Sequence, residues 1–171
     1  MMIQRFFHRY GFGIQSPWAY SLVRNVLFEP LRYYVFDELQ AKHPQCSKTE
    51  RKRNEQLFRI VNHFKPQKIE IVGNTVASTR DYLSFQTSSA NSQLSAFNTQ
   101  LFYYICPSAP ISSIPKTLSD GMLLVIDDIC ETNKAAWKQL TANAQVTAIF
   151  DMQYRGLLCC DTKRIRQTYL L

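Results

Sequence analysis

Residues 122–127, MLLVID, are the strongest indication of the fold, because this run is apolar almost throughout and shows no alternation. A strand with this pattern is covered on both faces, as in parallel sheets. Two more apolar runs precede it, KIEIV at 68–72 and LFYYIC at 101–106. Helical spacing occurs between these runs, and helices that alternate with buried strands predict a mainly parallel sheet. The expected fold class is therefore α/β.

Downstream of residue 127 the chain changes to short elements. A helix is predicted at about 133–143, followed by three strands at 146–150, 156–160 and 167–171. Only a few residues separate these strands, whereas a parallel crossover needs a dozen or more. The three strands are therefore expected to pair antiparallel at one edge of the sheet.

Upstream, residues 1–66 are expected to form helices. Ser16 is a suitable N-cap, and Pro17 suits the first position of a helix that continues to about residue 27. Ser47 and Glu50 form a capping box for a longer helix. The remaining predicted segments are a short helix at 33–39, the capped helix at 48–64, a weak helix at 76–85 and a polar loop at 87–93.

Positive charge is concentrated in the first part of the chain. Residues 1–68 hold 12 Lys and Arg against 5 Asp and Glu, whereas residues 69–171 hold 8 of each kind. The helix at 48–59 carries much of the excess and could attract RNA, DNA or an acidic protein. The alternative is a solvated helix face, which we favour because no aromatic-basic recognition motif accompanies the charge. Nucleic acid is therefore not the expected partner.

The cysteines and the hydropathy of the chain both bear on where the protein is located. Five cysteines occur without a C-x-x-C pair, so neither a zinc site nor a redox pair is indicated. No apolar run approaches the ~20 residues that span a bilayer, and residues 1–10 lack the pattern of a signal peptide. We expect a cytoplasmic protein with no membrane partner.

The length of the chain predicts a single domain over 1–171, with a helical segment at 1–66 and a reduced α/β sheet at 67–171.

Several short motifs occur together in a specific order. Near the N-terminus they are GFGIQSPWAY at 11–20, Tyr33-Tyr34 and Glu38-Leu39; further on they are VIDDI at 125–129, Trp137, Val146-Thr147, Asp151, GLL at 156–158 and QTY at 167–169. With these motifs in this order and spacing, the chain resembles methyltransferase-like proteins that are common in Bacteroides-type bacteria. The resemblance reaches both ends of the chain.

The resemblance implies a Rossmann-like class I methyltransferase fold, which holds S-adenosylmethionine across the carboxyl ends of its central strands. Glu70, Gly73 and Asn74 would then touch the cofactor, whose methyl group would pass to an oxygen or nitrogen of a small molecule. Val72 and Val76, however, fall where the family has glycines, and valine suits a close backbone approach poorly. Alternatively, Glu70 is a strand-end residue that pairs with a nearby lysine.

The middle of the chain is too short for the complete sheet of that family. Three further strands are needed between the first and third apolar runs, on the order of 80–100 residues at about 30 per unit. Residues 74–120 provide 47, enough for one strand and tight for two. No Asp or Glu occurs between Asp81 and Asp120, so the acid that would hold the cofactor ribose is missing. The alternative function is therefore an inactive relic, a pseudoenzyme that serves as a binding or assembly module through the basic helix at 48–59.

Asp127 and Asp128 are the best chemical candidates, because they end a buried strand at the edge where ligands bind in open α/β sheets. Some related O-methyltransferases place a metal-binding pair there, and two carboxylates suit a divalent metal such as Mg²⁺. The metal, with Asp128 as the catalytic residue, would polarise a substrate hydroxyl. The alternative, which we favour, is that one Asp caps the helix near Asn133 and the other is solvated.

A sheet that lacks strands leaves an edge unpaired, and exposed edges are a liability unless they are covered. The N-terminal helices or a second subunit are expected to cover the edge formed by the strand at 68–72 or 101–106. The second case predicts a homodimer.

Overall fold

The computed structural model of the protein describes residues 2–85 and 99–171. The polar loop predicted at 87–93 lies outside these residues. The described chain divides into two compact units. The sheet unit contains residues 2–8, 66–74 and 99–171, and the helical unit contains residues 9–65 and 75–85.

The helices and strands lie close to where the residue patterns predict them. The helices are α1 (Met2–His8), α2 (Pro17–Leu22), α3 (Val35–Lys42), α4 (Lys48–Phe64), α5 (Ala77–Ser84) and α6 (Lys134–Ala142). The strands are β1 (Lys68–Val72), β2 (Leu101–Ile105), β3 (Met122–Asp127), β4 (Ala148–Asp151), β5 (Arg155–Cys159) and β6 (Gln167–Leu170). None of the helices in the described ranges is both long enough and apolar enough to cross a membrane.

The sheet unit is an α/β structure, as predicted. Its described strands form one mixed six-stranded sheet in the order β1-β2-β3-β5-β4-β6. Strands β1, β2 and β3 run parallel, and β5 lies antiparallel between β3 and β4. Between β1 and β3 the described chain forms a single strand, as the short middle segment predicts. This arrangement is compatible with a Rossmann-like fold.

The prediction for the last three strands is correct in part. Strands β4 and β5 pair antiparallel, with Phe150 opposite Leu157. The expected antiparallel pairing of β6 is wrong, since β6 pairs parallel with β4, with Phe150 opposite Tyr169. The reason is that β3 and β4 occupy both edges of β5, so the only strand of this group with a free edge is β4.

Strand β3 lies at the centre of the core, as its unbroken apolar run predicts. Leu123, Leu124, Val125 and Ile126 are all 0% exposed. Helix α6 covers one face of the sheet through Ala136, Trp137 and Leu140. Burial of apolar side chains on both faces is the main term that stabilises such a sheet.

Helix α1 is tied to the edge of the sheet by polar contacts. Arg5 Nη1 donates a hydrogen bond to Asp151 Oδ1 at 2.9 Å, and this carboxylate belongs to the last residue of β4. The Nδ1 of His8 lies 2.8 Å from the carbonyl oxygen of Leu170, in β6. These contacts fix the first helix at the C-terminal end of β4 and β6.

Ser16 and Ser47 are confirmed as N-caps, whereas the Glu50 carboxylate of the predicted capping box accepts a hydrogen bond from Ser78 Oγ at 3.0 Å. Ser16 Oγ accepts a hydrogen bond from Ala19 N at 3.4 Å, and Ser47 Oγ accepts one from Glu50 N at 3.2 Å. One detail differs, because the helix that begins at Pro17 changes to a π-helical turn over Val23–Leu27. The core beneath α4 is aromatic and contains Phe36, Leu39, Phe58 and Tyr82.

Candidate functional site

Glu70, the first predicted cofactor residue, lies on the edge strand β1. Its Oε1 is 2.6 Å from Lys68 Nζ, and the hydrogen bond from Lys68 lowers the pKa of the Glu70 carboxyl. Tyr103 on the neighbouring strand also hydrogen-bonds this carboxyl. The contact agrees with the alternative interpretation, in which Glu70 pairs with a nearby lysine.

Gly73 and Asn74 form the turn that follows β1. Gly73 has a φ of +93°, a conformation that favours glycine. An added Cβ would lie 3.2 Å from Ala109 Cα and 3.3 Å from Cys106 Cβ. The segment after β2 therefore packs directly on Gly73, so the need for glycine here follows from contacts within the sheet unit. Asn74 is exposed.

Asp127 is buried and belongs to an ion pair at the centre of the sheet. Arg155 donates from Nε to Asp127 Oδ1 at 2.5 Å and from Nη2 to Oδ2 at 2.8 Å. The Tyr104 hydroxyl donates to the same Oδ2 at 2.8 Å. Burial alone would lower the pKa of Arg155, but Asp127 outweighs it and the net shift is upward. Both carboxylate oxygens of Asp127 are thus engaged by side chains of neighbouring strands.

Asp128 shapes the turn that leads to α6. Its backbone is left-handed, with a φ of +56°, and its Oδ2 accepts hydrogen bonds from Thr132 N and Thr132 Oγ1 at 3.1 and 2.6 Å. The Asn133 amide donates to the carbonyls of Cys106 and Asp127, both at 2.7 Å. Asp128 therefore holds the turn before α6 and does not cap the helix, because the N-cap residue of α6 is Asn133 and no described side chain caps it; the favoured alternative is wrong on this point. The other aspartate, Asp127, is buried in an ion pair rather than solvated.

The predicted metal pair, Asp127 and Asp128, has no third ligand within the described ranges. Among the described residues, no group of three or more His, Cys, Asp or Glu side chains could hold a metal ion. Arg155 is the residue that sequence reasoning missed. The sequence does contain an indication of this residue, because an arginine begins the otherwise apolar run RGLLC at 155–159. An arginine in a buried strand needs a buried carboxylate on a neighbouring strand.

A cavity of about 860 Å³ lies in the helical unit, beside α4. Of the described residues that line it, seven are cationic and two are carboxylates, a formal excess of five positive charges. The cations are Arg9, Arg32, Lys48, Arg51, Lys52, Arg53 and Arg59, and the carboxylates are Glu29 and Glu55. We call this the basic cavity. The basic cavity lies beside α4, the helix in which the sequence concentrates positive charge.

Two side chains of α4 that line the basic cavity contact the π-helical turn over Val23–Leu27. Gln56 Nε2 donates to the carbonyl of Leu27 at 2.8 Å, and Arg59 Nε donates to the carbonyl of Val26 at 3.2 Å. These carbonyls belong to the π-helical turn, where basic side chains are favourable partners. Burial lowers the pKa of Arg59, and its guanidinium lies 5.9 Å from the ring centre of Phe36.

Other lining residues come from segments far from α4 in sequence. The Arg9 guanidinium lies 5.5 Å from the ring centre of Phe28. Arg32 donates to Asp37 Oδ1 at 2.6 Å and to Gln40 Oε1 at 3.1 Å. Sequence reasoning identified the helix at 48–59 but missed Arg9 and Arg32, because only folding brings them to the same cavity.

The chemistry of the basic cavity is that of anion recognition. Guanidinium groups present several N–H donors in a planar fork that matches phosphate and carboxylate geometry. Five of the seven cations are arginines. Comparisons with the profiles of known protein families, with curated protein sequences and with solved structures found no match.

Proposed function

We propose that the protein is a non-catalytic binding module whose basic cavity holds a polyanionic ligand. The observation that carries this proposal is the lining of one 860 Å³ cavity by seven cations and two carboxylates. Ligand sites in proteins are concave and typically enclose about 300–1,000 Å³. This function is a more specific form of the alternative predicted from the sequence, a binding module that acts through the basic helix at 48–59.

The electrostatics of the cavity support an anion as the ligand. Like charges that converge on one concavity repel each other, and the repulsion is greater where the groups are removed from water. Arg59 is partly desolvated, as its lowered pKa indicates. Arg51 Nε is buried without a hydrogen-bond partner among the described residues, and Arg51 Nη2 reaches the Cys46 carbonyl only at 3.5 Å. A bound anion would offset both costs.

Calorimetric titration with tripolyphosphate tests the proposal. We expect the wild-type protein to bind it, and the variant Lys48→Glu/Lys52→Glu to bind at least tenfold more weakly. The reason is that hydrogen bonds to charged groups contribute about 1.5–3 kcal/mol each. Both lysines are exposed at the start of α4, so the fold should tolerate the change.

The matched control is Lys134→Glu/Lys138→Glu. It makes the same change in net charge on another exposed helix face, on α6 of the sheet unit. Its affinity should stay within about twofold of the wild type, because Lys134 and Lys138 do not line the basic cavity and exposed charges are screened by salt. Equal losses in the two variants would mean that net charge, and not the basic cavity, attracts the anion.

A methyltransferase is the second candidate function. The observation that favours it is the place of the Gly73 turn at the carboxyl end of β1, where ligands bind in open α/β sheets. In this case Glu70, Gly73 and Asn74 would hold S-adenosylmethionine, and Asp128 would face a small-molecule acceptor. A divalent metal at Asp127 would have to displace Arg155 from the carboxylate.

Thermal unfolding with S-adenosylmethionine separates the two functions. A ligand at about 100 times its Kd stabilises a protein by about 2.7 kcal/mol, which raises the Tm by several degrees for a chain of this size. We expect no rise in Tm at millimolar cofactor. A rise that Glu70→Gln abolishes would establish the methyltransferase instead, since Glu70 is accessible on an edge strand and is not part of the core.

The cytoplasm is the proposed location. All five cysteines of the chain are free thiols, and free thiols suit a reducing compartment. A homodimer and a pseudoenzyme origin stay predictions.

A further inference from the structure

We propose that the polyanion held by the basic cavity is a single-stranded nucleic acid, with its phosphates in the cavity and a base stacked on Tyr34. This inference rests on the proposed function and names the class of its ligand. It is carried by an exposed aromatic side chain that follows, by two positions, the segment 28–32 that lines the cavity.

The number of cations indicates several phosphates rather than one. A single phosphate is recognised by two or three donors such as the forks of arginines. The described lining of the basic cavity has seven cations, and two of them, Lys48 and Lys52, continue outward along the exposed face of α4. A chain of phosphates can occupy both the cavity and this outer face, whereas one phosphate would contact only a few of the lining cations.

Tyr34 supplies the second element of single-strand recognition. It follows the cavity residue Arg32 by two positions and is 98% exposed. The neighbouring Tyr33 packs at 5.3 Å from the ring of Phe36 and 5.6 Å from that of Phe58. Tyr33 therefore has a role in the core, whereas the ring of Tyr34 is left to solvent. Aromatic rings beside a basic groove are the stacking platforms of proteins that bind single strands.

The geometry favours a single strand over the two main rivals. In a duplex the bases are stacked on each other, so none is available to Tyr34. A membrane presents its phosphates on a surface without bases, and the cations of a concave cavity suit it poorly. Stacking accepts any base, so little sequence preference is expected.

Fluorescence anisotropy with labelled 12-nucleotide oligo(U) and oligo(dT) tests the inference. We expect both to bind the wild-type protein, and tripolyphosphate to compete with them. Tyr34→Ala should weaken oligonucleotide binding about 5- to 100-fold, as the loss of one stacked base does. The same variant should bind tripolyphosphate with unchanged affinity, because Tyr34 would contact the base and not the phosphates.

Two control variants make the result specific. Tyr34→Phe keeps the ring and should bind within about twofold of the wild type. Phe7→Ala removes another exposed ring, in the sheet unit, and should have no effect. The logarithm of the affinity should fall with the logarithm of the salt concentration at about 0.7 per neutralised phosphate, and Lys48→Glu/Lys52→Glu should reduce this slope by about 1.4 or more.

Three outcomes would overturn the inference while leaving the proposed function in place, provided that tripolyphosphate binds. They are an oligonucleotide that does not compete with tripolyphosphate, a Tyr34→Ala variant that binds as the wild type does, and tighter binding of a 12-base-pair duplex or of phosphatidylserine vesicles. Absence of tripolyphosphate binding would instead overturn the proposed function itself.

Discussion

Replacement of Asp127 by asparagine is expected to lower the free energy of unfolding by about 3–5 kcal/mol. Asp127 and Arg155 are 4% and 2% exposed and share two hydrogen bonds. Their charges are removed from water, and each is compensated mainly by the other. Loss of one charge leaves the second buried opposite a neutral group, which costs far more than the loss of an exposed pair. Urea unfolding followed by circular dichroism measures the change.

The pair is tested by a double-mutant cycle. Arg155→Met should destabilise by a similar amount, and Asp127→Asn/Arg155→Met should destabilise by clearly less than the sum, because no unpaired charge remains. The control is Asp37→Asn, which breaks the exposed ion pair with Arg32, whose side chains are 70% and 59% exposed. It should change stability by less than about 1 kcal/mol.

The same experiment separates a structural from a metal-binding role. If Asp127 were a metal ligand, millimolar Mg²⁺ would stabilise the wild type and Asp127→Asn would remove that effect. If Asp127→Asn left the free energy of unfolding unchanged and Mg²⁺ stabilised the wild type, the ion-pair role would be contradicted. We expect Mg²⁺ to leave the urea midpoint unchanged.

The second large effect is expected for Gly156→Ala, which should destabilise the protein by about 1–3 kcal/mol. Gly156 is buried in β5, beneath the indole ring of Trp137 on α6. An added Cβ would overlap the ring, because three ring atoms would lie within 2.7 Å of it, the farthest of the three being Cε3. The ring or the helix must move, and helix α6 would lose contact with the sheet.

Tryptophan fluorescence reports this movement directly. The chain has two tryptophans, so Trp18→Phe leaves Trp137 as the reporter. In this background Gly156→Ala should shift the emission of Trp137 to longer wavelength, because the displaced ring gains solvent. The matched control is Trp137→Leu, in which Gly156→Ala should cost much less. An equal cost in the presence and absence of the indole would show that the ring is not what requires glycine.

Much of the fold could be predicted because the relevant signals are local. The apolar run at 122–127 predicts a buried strand, and it is buried on both faces. The caps at Ser16 and Ser47 were predicted because they satisfy backbone donors only three residues away. The shortage of residues between the first and third apolar runs also predicted how few strands could lie between β1 and β3.

Interactions between distant residues could not be predicted in the same way. The pairing of β6 with β4 follows from the edges that the earlier strands leave free, and no pattern within residues 167–170 states which edge that is. The partner of Asp127 likewise depends on the register of β3 and β5, which places Arg155 opposite it.

Most helices and strands, two N-caps, the α/β class and the concentration of positive charge on one helix can be predicted from the residues alone, because these features depend on residues that are close together in the chain. The pairing of Asp127 with Arg155, and the meeting of Arg9 and Arg32 with the cations of α4 around one cavity, follow from the folded arrangement. Electrostatic interactions act through space and not along the chain. Whether a charge is solvated, paired or directed at a ligand depends on which groups folding brings within a few ångströms of it.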